Sequence, residues 1–150
     1  MIRFISSKET LDLRSKVLRN NLPTGACVFP TDDVEGAFHL GCLVNETLVS
    51  VASFFPNRYK EESANGYQLR GMATLKEEAG KGYGAKIIDF AQIHLMGTDA
   101  HYLWCNARSS AVEFYKKMGF KLVSEEFEIE GVGPHYEMLK FILTSDKERN

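Results

Sequence analysis

The chain carries no excess of basic residues: 18 lysines and arginines stand against 20 aspartates and glutamates, a formal net charge of −2. A surface built to hold a polyanion concentrates positive charge, so a nucleic-acid role starts at a disadvantage. Cysteine is equally sparse. Cys27, Cys42 and Cys105 are odd in number and widely spaced, with no CxxC pair, which excludes a disulfide-stapled secreted scaffold and reads as reduced thiols in a cytoplasmic protein. Long hydrophobic runs are missing too. No segment approaches the ~20 apolar residues that span a bilayer, and the N-terminus lacks an uninterrupted apolar stretch of the signal-peptide kind. Among the histidines, His39, His94 and His101 show no metal-ligand spacing with cysteines or carboxylates, so no metal is expected.

What is present is an ordinary globular composition, with 44% hydrophobic and 25% charged residues over 150 positions. That supports one domain with a sizeable core, assigned to residues 1–143, with 144–150 as a polar tail. The pattern reads as a mixed α/β layout with helices packed on one central sheet. A short strand at Ile2–Ile5 precedes Ser6 and Glu9, whose spacing is that of a capping box opening a helix that carries Leu11, Val17 and Leu18 inward. The turn-forming segment 20–36 is irregular, with room for one short helix. Two extended runs, 37–44 and 48–55, form a hairpin. A strand at 67–75 leads into a helix over 85–96, whose Ile87, Ile88, Ala91 and Leu95 recur at helical spacing. A buried strand at 101–106 follows. Ser110 and Glu113 repeat the capping-box spacing ahead of a second helix ended by Gly119. Two last strands, in 120–130 and 135–143, flank the turn Gly131–Pro134.

The chemistry concentrates where the 67–75 strand meets its helix, in "TLKEEAGKGYGAKII", with Gly80, Gly82 and Gly84 alternating. The first N–H groups of a helix lack intrahelical partners and the helix dipole adds positive charge, so an anion such as phosphate is held there. Glycine lets the backbone approach it closely. A glycine-rich turn that only connects two elements has the same pattern. The spacing fits neither G-x-x-x-x-G-K-[ST] nor G-x-G-x-x-G, which leaves little support for a kinase or a dinucleotide dehydrogenase. What remains is a pyrophosphate held mainly by main-chain amides.

"MATLKEEAGKGYGAKII", followed further on by "CNARSSAVEFYKKMGF", resembles the GNAT superfamily of acetyl-coenzyme A dependent N-acyltransferases. Gly82 and Gly84 match the end of its Q/R-x-x-G-x-G/A signature. Asn106 matches an asparagine after the following strand, and Tyr115, Gly119 and Phe120 match Y-x-x-x-G-F. "QLRGMAT" and "GVGPHYEM" further look like an ElaA-like branch. The Q/R position falls on Ala79, which removes that side chain's contribution to the pyrophosphate and leaves Lys81 as the nearby charge. The resemblance implies an α/β (α+β) fold of GNAT type: a mixed, mostly antiparallel central sheet flanked by helices, with a splayed strand pair forming the acyl-CoA cleft.

It also implies roles. The backbone of Met72, Ala73 and Thr74 would pair with the pantetheine arm, and the amide of Ala73 or Met72 would stabilise the oxyanion. Ala79, Gly80, Lys81, Gly82, Tyr83, Gly84 and Ala85 would cradle the pyrophosphate, and Asn106 would hydrogen-bond the pantetheine. Tyr115, a phenol protonated at neutral pH, would give a proton to the departing thiolate. A core aromatic on an amphipathic helix has the same pattern, and Asn106 has the alternative of a turn or cap. His135 is the candidate for proton transfer on the acceptor side, with a structural role as its alternative, while Glu61, Glu62, Glu77 and Glu78 also read as a solvated surface. Arg70 would meet an acidic group on the acceptor or sit in a surface ion pair. Cys105 and Trp104 read as buried strand residues, direct transfer making a cysteine nucleophile unnecessary. The implied activity is acetyl transfer from acetyl-CoA to a primary amine of a small molecule or peptide, with no nucleic-acid or membrane partner and a homodimer left open. The competing reading is a catalytically silent module of the same fold that binds acyl-CoA or a protein.

Overall fold

Alternating apolar residues and two tight turns organise the described residues into eight strands, mostly antiparallel and flanked by helices. The structure is a computed structural model, and it describes residues 1–142; the polar tail assigned to 144–150 lies outside the described residues. The strands are β1 (Ile2–Ile5), β2 (Phe38–Val44), β3 (Thr47–Pro56), β4 (Gly66–Thr74), β5 (Tyr102–Arg108), β6 (Lys121–Leu122), β7 (Phe127–Ile129) and β8 (Gly133–Phe141). The α-helices are α1 (Leu11–Leu13), α2 (Tyr83–Met96) and α3 (Val112–Lys117). Contacts divide the chain into two compact units. One comprises Met1–Pro56 and Leu69–Ile93, the other Asn57–Gln68 and the described residues from His94 onward.

In the first unit the strands run β1-β2-β3-β4. Val44 pairs with Thr47, so the β2–β3 hairpin turns on two residues, Asn45 and Glu46. Both hold positive φ, 50° and 66°, as the tight hairpin turns that match strand twist require. Register then sorts the side chains. Phe4, Phe38 and Phe54 share one face, with Phe38 stacked on Phe54 at 4.8 Å and Phe4 edge-on to Phe90 of α2 at 5.5 Å. The other face presents Val51 and Ala73 to Leu13, with Ile5, Leu18, Leu48 and Leu75 packed around them.

The capping box at the first helix closes as its spacing predicts: the Ser6 N–H donates to Glu9 Oε1 (3.0 Å) and the Glu9 N–H to Ser6 Oγ (3.3 Å). The buried face does not follow the prediction. A 3-10 turn at Lys8–Thr10 and a π-helical stretch at Arg14–Leu18 bracket α1. The change of winding buries Leu13, Arg14 and Ser15 and leaves Val17 exposed. In α2, Ile87, Ile88, Ala91 and Leu95 are buried as the spacing requires.

In the second unit β8 pairs with β5, β6 and β7. The expected strand over 120–130 is broken into β6 and β7, because between them the Ser124 hydroxyl turns to the backbone, donating to the Glu125 carbonyl (2.9 Å) and accepting the Glu137 N–H (2.8 Å). Helix α3 starts at Val112 behind a 3-10 turn, Ser109–Ala111, with no side-chain hydrogen bond from its N-cap Ala111, so the expected Ser110 cap is not the one used. Its end is as predicted. Gly119, at φ 93°, closes a Schellman turn in which the Phe120 N–H reaches the Tyr115 carbonyl and the Gly119 N–H the Lys116 carbonyl, both at 3.0 Å.

Tyr59, Tyr102, Trp104 and Leu139 form one buried hydrophobic cluster of this unit. The Tyr102 hydroxyl accepts the Tyr59 N–H at 2.8 Å, which fixes the ring. A Cβ added at Gly66 would fall on that ring. Gly66→Ala is therefore expected to lower stability by about 1–3 kcal/mol, the usual penalty of overpacking a filled core. Urea unfolding measures it; an unchanged midpoint would mean that the Tyr102 ring can shift freely.

Candidate functional site

The residues singled out by the glycine motif lie together in the first unit. Strand β4 delivers Met72, Ala73 and Thr74. Ala73 is buried against Leu13 and Val51, and the Thr74 hydroxyl is tied to Ser50 Oγ at 2.7 Å. With that side chain committed, the strand's backbone is what it can offer a ligand. Gly71, inside the strand, has φ 65°, a left-handed conformation that favours glycine.

Beyond the strand the Leu75 N–H bonds the Val49 carbonyl (2.9 Å), and the chain makes a 3-10 turn over Lys76–Glu78. Ala79 is extended, and Gly80 and Gly82 take φ of 79° and 85°. The Gly82 carbonyl accepts the Lys86 N–H at 3.1 Å, which starts α2. Gly82 is thus the N-cap, and the N–H groups of Tyr83, Gly84 and Ala85 have no intrahelical acceptor. A Cβ built at Gly80 or Gly82 meets nothing within 4 Å. Their need for glycine is conformational, and it leaves bare backbone in front of the positive end of a 14-residue helix. Lys81 is not a free charge, since its Nζ pairs with Glu78 Oε2 at 2.9 Å. The residues present fit a pyrophosphate through main-chain amides, without the side chain that Ala79 replaces.

Asn106, Tyr115 and His135 belong to the second unit. Asn106 lies within β5, paired with Glu137, and is exposed; the sequence reading ended the strand at this residue, whereas the ladder with β8 carries pairing on to Arg108. Its neighbour Cys105 is buried, and that burial pushes its thiol well above the ordinary range. Tyr115 is buried between Phe114 and Phe120, with ring centroids at 5.1 and 5.3 Å. Burial, with a smaller contribution from Cys105, raises its phenol far above the ordinary tyrosine value, so the ring carries its proton at neutral pH. His135 is also buried, beside Phe127, and its Nδ1 lies 2.8 Å from the Gly133 carbonyl. A carbonyl only accepts, so Nδ1 carries a proton and Nε2 is the ring nitrogen left to exchange one.

The sequence reading missed a buried polar cluster in the first unit. Arg14 grips Asp32 end-on, Nη1 to Oδ2 and Nη2 to Oδ1, both at 2.8 Å. The remaining Nη protons go to the Cys27 carbonyl (3.1 Å) and Ser53 Oγ (2.9 Å). Ser53 can then donate to His39 Nδ1 (2.7 Å), while His39 Nε2 donates to the Asp32 carbonyl (3.0 Å). Burial opposes ionisation of Asp32, but the hydrogen bonds from Arg14 and the Phe29 N–H outweigh it and hold the carboxyl below its ordinary value. Arg14 also lies 3.7 Å above the Phe29 ring, and Arg70 lies 4.3 Å from the same ring centre. The signal was the spacing Leu11-x-x-Arg14-x-x-x-Leu18, which sets an arginine on the helix face expected to carry leucines inward.

The chain matches the family model "Acetyltransferase (GNAT) domain" over residues 32–140. It is 37% identical over 145 residues to YitI of Bacillus subtilis (strain 168), described as an uncharacterized N-acetyltransferase, covering 96% of this chain and 97% of that one. Among solved structures, an aminoglycoside 6'-N-acetyltransferase complexed with coenzyme A superposes with a TM-score of 0.74 at 13% identity, covering 96% of this chain and 98% of the other. Escherichia coli ElaA does so at 0.72 and 18%, covering 93% and 99%. Those two likenesses establish the fold. The family match extends over more than half of the sequence and, with the Bacillus relative, establishes the kinship: the chain belongs to the GNAT family of acetyltransferases.

Proposed function

We propose that the protein transfers the acetyl group of acetyl-CoA directly to a primary amine of a small molecule or peptide. The observation that carries this reading is the pair of positive-φ glycines, Gly80 and Gly82, in front of the unpartnered N–H groups of α2. Ala79, Gly80, Lys81, Gly82, Tyr83, Gly84 and Ala85 would hold the pyrophosphate by main-chain amides. Met72, Ala73 and Thr74 would align the pantetheine arm by backbone pairing, helped by Asn106. The thioester supplies an activated acyl group and a thiolate leaving group. The Ala73 or Met72 N–H would stabilise the oxyanion. Tyr115, kept protonated by burial, would donate to the leaving sulfur, and His135 Nε2 would take the proton that the amine loses. The coenzyme A bound by the aminoglycoside acetyltransferase of the same fold supports the choice of donor.

Isothermal titration with acetyl-CoA tests the reading. Micromolar binding is expected for the natural chain. A loss of about 100-fold or more, ~2.7 kcal/mol, is expected for Gly82→Glu, which forces a side chain into a left-handed backbone and sets a carboxylate where phosphate would sit. Thermal melting of the variant separates this from unfolding. Absence of binding to the natural chain overturns the reading; binding without acceptor-dependent thiol release over a broad amine panel favours the silent module.

A further inference from the structure

In the first unit's polar cluster, charge does not cancel. Asp32 spends its carboxylate on two bonds from Arg14 and on the Phe29 N–H (3.0 Å), so it neutralises Arg14 and has little left for a second cation. Arg70 sits on the other side of this account. Its guanidinium lies on the Phe29 ring, and it makes no ion pair among the described residues. Burial, then the positive charges of Arg14 and Arg19, lower its pKa, with Asp32 opposing. A partly desolvated guanidinium without an anion is unfavourable. The Phe29 face compensates only in part, because Arg14 draws on the same ring. Within the cluster, moreover, the fully buried Arg14 keeps one N–H, at Nε, with no partner, and Gly71 lies against it: a Cβ there would sit 3.3 Å from Nε and 3.0 Å from the Phe29 ring. The cluster is thus short of one anion, on the side facing Arg70 and Gly71.

Position says which anion. Arg70 stands on β4 three residues before Ala73, roughly 10 Å of strand. This is the strand proposed above to align the acyl donor, and the inference rests on that reading. We infer that Arg70 receives a carboxylate carried by the amine acceptor, so that the substrates are amino-acid-like amines. One uncompensated guanidinium matches a singly charged carboxylate through a two-point hydrogen bond; a phosphate dianion would leave one charge unpaired.

The test compares matched acceptors with acetyl-CoA: α-amino acids against their carboxamides, and 4-aminobutyrate and 5-aminovalerate against butylamine and pentylamine. The natural protein is expected to favour the carboxylate member at least ~10-fold in kcat/KM, in line with a charge-assisted hydrogen bond. Arg70→Gln should abolish that preference through KM while leaving rates with carboxamides and alkylamines within ~2-fold, and Arg70→Lys should restore part of it. Melting curves of both variants establish that they are folded. Equal use of both members by the natural protein, or an equal loss on both in Arg70→Gln, overturns the inference. Turnover of uncharged amines alone overturns it while leaving acetyl transfer standing. If acetyl-CoA does not bind, or no amine releases thiol, the transfer reading fails and this inference fails with it.

Discussion

Replacing Asp32 by alanine is expected to destabilise the protein by about 3–5 kcal/mol, the loss seen when one partner of a buried ion pair is removed. The magnitude follows from what remains. Arg14 would be left fully buried with two Nη protons unmatched in addition to its already unpartnered Nε, and the Phe29 N–H would lose its acceptor. Against a total stability of ~5–15 kcal/mol, that is a large fraction. Urea unfolding at neutral pH measures it, and a change below ~1 kcal/mol would mean that water reaches Arg14. Replacing both partners, as Arg14→Met with Asp32→Leu, should recover much of the loss, because no uncompensated charge is left behind. The same pair predicts a pH dependence. The folded-state pKa of Asp32 lies below its ordinary value of 3.8, so the stability it contributes is fully present above that value and is lost as pH falls through the lower folded-state pKa. Asp32→Asn should flatten that acid limb.

Tyr115→Phe is expected to lower kcat with acetyl-CoA and a good amine by about 10²–10⁴-fold, the usual contribution of a positioned proton donor, while leaving acetyl-CoA affinity nearly unchanged. The ring remains to fill the space between Phe114 and Phe120, so the fold should survive, and a melting curve checks this. Unaltered turnover would reduce Tyr115 to a core aromatic and transfer proton delivery to solvent. A fall in stability without a change in kcat would point the same way.

Elements with strong local signals were legible in the sequence. The spacing of Ile87, Ile88, Ala91 and Leu95, the box at Ser6 and Glu9 and the glycine at position 119 each fix their structure within a few residues of chain. Val17 was misplaced because the π-helical winding at Arg14–Leu18 depends on packing that no 3.6-residue period encodes. The strand over 120–130 was read as continuous because its break is made by Ser124 bonding to Glu137, a partner 13 residues away. On the site, Gly80 and Gly82 were visible since positive φ selects residue type directly. The Arg14–Asp32–Ser53–His39 cluster was not, because its members come from the first helix, a loop and two strands and share no motif. Arg70 was visible as a candidate, but only the commitment of Asp32 to Arg14 distinguishes an unpaired cation from one side of an ion pair.

The burial of Cys105 bears on the order of events. A thiol held neutral in the core cannot take up an acyl group, and Cys27 and Cys42 are buried as well. None of the three cysteines then offers the acetyl group a resting place, and if transfer is direct, as proposed, donor and acceptor would occupy the protein together, neither product leaving before both substrates have arrived.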